Sequence, residues 1–311
     1  MQTQILVIGK QVLILFILMS TGFIADKARL VSVKGTRQIS AILAYIVTPC
    51  VMLEAFAVPF EGSKAVGFFI AFGLAALTHG VGILLSFLFV RDKSTARQKV
   101  LRFSVIFSNC GFMGIPLLKA VIGNTGVFYG SAYIAAMNII MWTFGVWLYT
   151  GKTSKKSIAK AMLNPAVFSV FVSCVLYFCR INLPEMLLTP VTSIAAMNTP
   201  LAMIVIGCYL SRANILEALK DTKMYLCLAL RLVAVPLVMI GIFKLLSIFG
   251  VPLDSTIASV LIIVACCPAA GNTAILAGLF GADERLGAKL VAVSTLVSII
   301  TIPFIASLIL P

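Results

Sequence analysis

The chain has 311 residues, 61% hydrophobic and only 11% charged, with a mean hydropathy of +1.12. Soluble globular chains carry about 25% charged residues, so a soluble domain is excluded, and apolar runs near twenty residues in length indicate a polytopic helical membrane protein. The net charge of +14 raises nucleic-acid binding as an alternative, but the basic residues follow the loop pattern of a membrane protein instead.

Taken in order, ten apolar spans are expected at about 4–25, 38–58, 65–90, 100–122, 125–150, 162–181, 186–210, 223–247, 255–280 and 285–310. The first runs too long for a signal peptide's apolar core, and no small-residue cleavage site follows it, so it is expected to be retained. Alternate loops hold the basic residues: Lys27 to Arg37, Arg91 to Arg102, Lys152 to Lys160, Arg212 to Lys223, and Arg285 with Lys289. That places eighteen Lys and Arg on one side against Lys64, Lys119, Arg180 and Lys244 on the other. The bias puts both termini on the non-cytoplasmic side of the plasma (cytoplasmic) membrane.

Five spans followed by five that start from the opposite side would be an inverted repeat, residues 1–150 and 162–311 joined by a cytoplasmic linker at 151–161. Tyr45-Ile-Val-Thr-Pro49 resembles Ala196-Met-Asn-Thr-Pro200 at an offset of 151, and Gly123 matches Gly281 at an offset of 158. Chance recurrence of Thr-Pro and of loop glycines is the plainer reading of either match alone.

Two spans contain stretches too breakable for their depth: Asn109-Cys-Gly-Phe-Met-Gly-Ile-Pro116 in the fourth and Cys266-Cys-Pro-Ala-Ala-Gly-Asn-Thr273 in the ninth. Glycine and proline disfavour helix, and proline also removes a donor. Such a break survives in hydrocarbon only where protein, substrate or water satisfies the freed backbone. Paired interrupted spans in corresponding halves point to a transporter's binding site. The second half-helices are expected to start near Pro116 and Asn272, presenting unpaired N–H groups and a positive dipole end suited to an anion. Asn109, Asn272 and Thr273 supply neutral hydrogen-bonding groups; Gly111, Gly114 and Gly271 allow close backbone approach; Pro268 lies in the ninth-span break. Against this stands the commoner use of membrane glycines and prolines in packing and kinking. Pro49 and Pro200 are read first as kinks and second as lining beside the crossing, the second use strengthened by Asn198 and Thr199.

Charged residues inside spans are functional candidates by default. Glu54, His79 and Arg231 qualify, whereas Lys10 has the option of reaching towards a surface. His79, the only histidine, is a candidate for coupling transport to protons or a hydrogen-bonded histidine of the bundle. It lies 152 residues before Arg231. Arg231 is expected to pair with Glu54, with anchoring of a substrate carboxylate as its other use. Tyr133 and Asn138 are further candidates to reach the crossing. All eight cysteines sit in apolar runs, as small hydrophobes do. No nucleophile–base set, phosphate loop or metal-spaced cluster is present, so neither an enzyme nor a metal site or cofactor is expected.

The stretches Asn109-Cys-Gly-Phe-Met-Gly-Ile-Pro-Leu-Leu118, Asn198-Thr-Pro-Leu-Ala-Met-Ile-Val-Ile-Gly207 and Cys267-Pro-Ala-Ala-Gly-Asn-Thr273 resemble the auxin efflux carrier family, which includes plant PIN-formed proteins and bacterial malate and malonate permeases. The resemblance covers nearly the whole chain. It implies an all-α polytopic membrane protein with ten transmembrane helices in two inverted five-helix repeats, helices four and nine broken and crossing, as in the bile acid–sodium symporter group. It also implies a substrate-site role for Asn109, Pro116, Pro268 and Asn272, and a homodimer. The long cytoplasmic loop of many plant members is absent, and His79 stands in the third span, where they have an acidic residue. The expected function is secondary transport of a small organic anion, a mono- or dicarboxylate such as malate, malonate or an auxin-like acid. The alternatives are a sodium-coupled symporter, which would want carboxylates that neither break has, and a non-transporting receptor on the same fold.

Overall fold

The computed structural model describes residues 2–152, 164–251, 253–306 and 308. Part of the linker expected at 151–161, including Lys155, Lys156 and Lys160, lies outside the described residues, as do the start of the sixth span and the end of the tenth. The described residues are helical, with an isolated β-bridge. The helices are α1 (Gln2–Lys27), α2 (Val33–Phe56), α3 (Gly62–Phe89), α4 (Thr95–Ile106), α5 (Cys110–Val121), α6 (Asn124–Thr150), α7 (Pro165–Phe178), α8 (Glu185–Arg212), α9 (Ile215–Ala218), α10 (Thr222–Ile248), α11 (Ser255–Ala265), α12 (Asn272–Leu279) and α13 (Glu284–Ala306).

Among the described residues, seven helices are long and apolar enough to cross a membrane: the stretch from Ile8 in α1, then α2, α3, α6, α8, α10 and α13; α5, α7 and α11 are shorter apolar helices. Their outer faces carry Leu13, Ile17, Phe69, Leu84, Phe171 and Ile300 exposed. Inside lie small polar side chains, among them Ser104, Ser108, Ser131, Thr273, Thr295 and Ser298. That is the surface of a chain solvated by lipid, since a soluble monomer rarely exposes so much contiguous apolar area.

Prolines shape the long helices in a repeated way. Pro49, Pro116 and Pro236 each follow, two residues on, a wide π-turn at Leu43–Val47, Cys110–Gly114 and Leu230–Ala234 respectively. A proline ring clashes with the carbonyl four residues back, and widening the preceding turn by one residue relieves it. The kink expected at Pro49 takes this form. Near Pro200 the chain instead leaves the helix for a turn at Ala196 and Met197, and α8 resumes at Asn198.

The helices pack into one continuous bundle. α1 lies along the second part of α8, while α2 packs on α7 and on the first part of α8. α3 packs on α6 and α4; α13 packs on α12 and α4, and α10 on α4. α1 also touches α13 and α5. Gly22 and Gly207 set the α1–α8 contact: a Cβ on the first would meet the Ile204 carbonyl, and on the second the Met19 carbonyl.

Several helix starts carry side-chain caps, whereas those of α3, α6 and α8 do not. Ser32, Ser94, Asp221 and Asp254 accept from N–H groups in the first turns of α2, α4, α10 and α11, and Asp283 accepts from Leu286 N–H at the start of α13 (2.9 Å), as expected of capping residues. Arg97 joins three helix starts, reaching Asp221 at 2.5 Å and Asp92 and Asp283 at 3.7 Å each. Its hydrogen bond to Asp221, reinforced by the charges of all three aspartates, holds its pKa above the ordinary arginine value.

Candidate functional site

The two breaks meet. α4 ends at Ile106, and Phe107 turns to extended backbone (φ −106°, ψ 123°). Ser108 pairs with Ala269 as an antiparallel bridge. Asn109 N–H donates to Pro268 O at 2.7 Å, and Ala270 N–H donates to Phe107 O at 3.0 Å. Ala269 N–H donates to Ser294 Oγ of α13 at 3.1 Å. Broken backbone at this depth is thus satisfied by the other break and by a neighbouring helix, the condition for tolerating it.

Arg231 supplies the rest. It is 1% exposed and sits in the π-turn of α10. It donates to Val105 O at 3.1 Å, to Ile106 O at 3.4 Å and to Ala265 O. These carbonyls close α4 and α11, so a single guanidinium neutralises the negative ends of both first half-helices. The expected pairing of Arg231 with Glu54 is therefore overturned. Glu54 lies in the last turn of α2 and pairs with Lys119 of α5 at 3.0 Å. The two terminal nitrogens of Arg231 instead donate to backbone carbonyls, while its Nε has no partner.

The second half-helices begin at the two breaks. α5 begins at Cys110, six residues before the start expected near Pro116, because the π-turn carries the helix back to the bridge. α12 begins at Asn272, as expected. Neither has a side-chain cap on its N-terminal N–H groups. Beside them the space is open: a Cβ on Gly111 or Gly271 would meet nothing within 4 Å. Asn109 (6% exposed) and Asn198 (5%) are buried, while Gly111, Phe112, Gly271 and Asn272 are half-buried.

The remaining candidates separate into packing and lining. A Cβ added on Gly114 would meet Cys267 Sγ at 3.6 Å and Val264 at 3.7 Å, ordinary contact distances, so Gly114 packs α5 against the end of α11. Pro116 and Pro268 are buried, and Pro268 contributes its carbonyl to the bridge. Thr273 is fully buried with an unpartnered hydroxyl. The part of α8 that starts at Asn198 packs against the first turn of α5; Thr199 is half-buried and Pro200 exposed, while Pro49 is half-buried on α2. His79 Nδ1 donates to Ala75 O at 2.7 Å, and its ring lies 5.0 Å from Tyr133 and 5.8 Å from Phe107. His79 Nε2 has no partner, and the Tyr133 and Ser108 hydroxyls interact with each other, so polar atoms lie beside the bridge. Asn138 spends its amide on Ile134 O (2.9 Å).

Methionines are the lining that motif reading missed. Asn272 Nδ2 donates to Met141 Sδ at 3.3 Å, Cys110 Sγ to Met137 Sδ at 3.2 Å, and Ser298 Oγ contacts Met113 Sδ at 3.9 Å. Their spacing of four on α6 puts Met137 and Met141 on one face, a signal available in the sequence. Soft thioethers adapt their shape to whatever lies beside them. Among the described residues no three His, Cys, Asp or Glu side chains gather as a metal site.

Two cavities lie away from the crossing. One of about 240 Å³ is lined by Arg97, Asp221, Asp283 and Lys289, and one of about 460 Å³ by Phe60, Tyr177 and Arg180.

A family model described as membrane transport protein matches residues 7–306. No curated protein gives a significant match.

Proposed function

The chain belongs to the auxin efflux carrier-like family of membrane transport proteins, and from that premise we propose that it is a secondary carrier of a small organic anion, a mono- or dicarboxylate such as malate, malonate or an auxin-like acid. In this reading the chain crosses the plasma membrane ten times, with α4–α5 and α11–α12 as the fourth and ninth spans. Residues 1–150 and 162–311 form two inverted repeats, and both termini lie outside. A homodimer is part of the same reading.

One observation carries the proposal: two uncapped half-helix N-termini meet in the interior beside open space, while Arg231 consumes the opposite, negative ends. The electrostatics left at the crossing favour an anion. A carboxylate would accept from first-turn N–H groups of α5 and from the amides of Asn109 and Asn272; at α12 the Thr273 and Ala274 N–H groups already donate to Ala270 O and Gly271 O. The apolar part of the substrate would lie against Phe112 and the methionines. In this reading access alternates as α1, α2, α7 and α8 move as one body against the helices around the crossing. His79 stands behind the bridge through Phe107 and is the candidate for proton coupling.

The test is uptake of radiolabelled mono- and dicarboxylates into proteoliposomes, with Asn109→Ala and Asn272→Ala beside the parent chain. Both variants are expected to insert and melt normally and to lose transport. Normal flux in both would sink the site. Flux unchanged when choline replaces sodium would dismiss sodium coupling, and protein that moves no anion would leave the receptor reading in its place.

A further inference from the structure

At the end of the molecule where α2 stops and α7 turns into α8, the cavity of about 460 Å³ lies apart from the crossing. Cavities of this size hold small ligands. Three features give it chemistry. Its aromatic wall is Phe56, Phe60 and Tyr177, whose rings pack 5.2–6.0 Å apart where Tyr177 meets the two phenylalanines. The Tyr177 hydroxyl is already spent, accepting from Glu61 N–H (2.9 Å) and donating to Glu61 O (3.1 Å), which fixes the segment between α2 and α3 as a wall. Ser173 lines the cavity, is fully buried and has no partner for its hydroxyl. A buried hydroxyl without a partner is costly unless something else supplies the hydrogen bond.

The third feature is Arg180 at the mouth. It closes α7 in the left-handed conformation (φ 55°), and its guanidinium lies over the Phe60 ring at 4.8 Å. Of the carboxylates on the adjoining segments, Glu61 pairs with Lys64 at 2.8 Å and Glu54 with Lys119 at 3.0 Å, while Glu185 at the start of α8 is exposed. Among the described residues Arg180 forms no ion pair with a carboxylate. A guanidinium held on an aromatic face keeps its outer edge free for a carboxylate or phosphate.

We propose that this cavity binds an amphipathic anion, with its carboxylate or phosphate on Arg180, its apolar body against Phe56, Phe60 and Leu188, and a polar atom on Ser173. The ligand is either a membrane phospholipid or a free acid with an apolar body. It is no transported substrate, because Asn109, Asn272 and the bridge take no part. Two wall residues also pack on Phe128 of α6, Phe56 at 4.4 Å and Tyr177 at 5.4 Å. An occupant therefore braces the junction of α2 and α7 with α6, and its binding is measurable whether or not the transport reading holds.

The test uses purified, delipidated full-length protein and two probes. Dioleoyl phosphatidylglycerol is followed by native mass spectrometry, and a fluorescent anthroyloxy-stearate by titration. Wild type is expected to bind at least one probe. Arg180→Gln, an exposed change that leaves the fold intact, should weaken it about tenfold, as loss of a charge-assisted contact does. Leu188→Trp, which fills the mouth, should weaken it comparably. Binding of the phospholipid alone identifies a lipid site, of the stearate alone a site for free acids, and of both the shared chemistry. No binding to wild type, or equal binding to wild type and both variants, overturns the proposal.

Discussion

Replacing Arg231 tests the architecture of the crossing most directly. Arg231→Met keeps much of the side chain's length and removes its donors. Three carbonyls, Val105 O, Ile106 O and Ala265 O, then lose their partner in a site that is 1% exposed. Each stranded buried acceptor costs about 1–3 kcal/mol. Removing the guanidinium returns part of this, because burying that charge was itself expensive. The net expectation is a loss of about 3–5 kcal/mol, the range seen when one partner of a buried charged network is removed. At about 2 °C per kcal/mol for a chain of this size, the apparent melting temperature in detergent should fall by about 6–10 °C. Arg231→Lys places one compact ammonium where a fork spanned two helix ends, so it should lose about half as much. If Arg231→Met melts within about 2 °C of the parent, the bridging role is wrong. If Arg231→Lys melts normally but loses substrate affinity, Arg231 faces the substrate rather than the helix ends.

Other outcomes follow from the same geometry. Gly22→Ala or Gly207→Ala would drive a methyl into backbone across the α1–α8 contact, and each is expected to cost about 3 kcal/mol or more by overpacking, read as loss of folded protein in fluorescence-detected chromatography. Gly111→Ala meets nothing within 4 Å, so it should melt like the parent while raising the KM for the transported anion; an unchanged KM would place Gly111 outside the site. Lys289 holds the Glu217 carboxyl below the ordinary glutamate pKa by a hydrogen bond and its charge. That contact is present at neutral pH and is lost as pH falls through the lowered value. Glu217→Gln should therefore speed hydrogen exchange of residues 213–221 at neutral pH and have no effect at strongly acid pH.

Most of the frame was legible because each signal had a single physical source. Hydropathy marked the apolar helices, and the Gly-Pro stretches marked where two of them stop: at Ile106 and Ala265, resuming at Cys110 and Asn272. Three details were not. The start of α5 was misplaced because proline was taken as the first residue of a helix, its common position, whereas Pro116 follows a π-turn that already belongs to the helix. Arg231 was given the wrong partner because a charge in a span suggests an opposite charge. Backbone carbonyls freed by a break are equally good acceptors, but they appear only once the breaks are seen to meet. The methionines of α6 went unnoticed because thioethers in apolar runs look like core.

The unequal treatment of the half-helices at the crossing is what connects fold to function. Both first half-helices end on Arg231, so their negative ends are neutralised by a group built into α10. Both second half-helices begin without a side-chain cap, as α3, α6 and α8 do, whereas Ser32, Ser94, Asp221, Asp254 and Asp283 cap other helix starts. A side-chain cap at Asn109 or Gly271 would satisfy those N–H groups permanently and stabilise the helix by about 1 kcal/mol. In the proposed carrier its absence at both starts, beside glycines with open space, would leave the positive ends to a ligand that comes and goes. In that proposal a fixed cation answers the fixed negative ends, and the positive ends would serve a mobile anion.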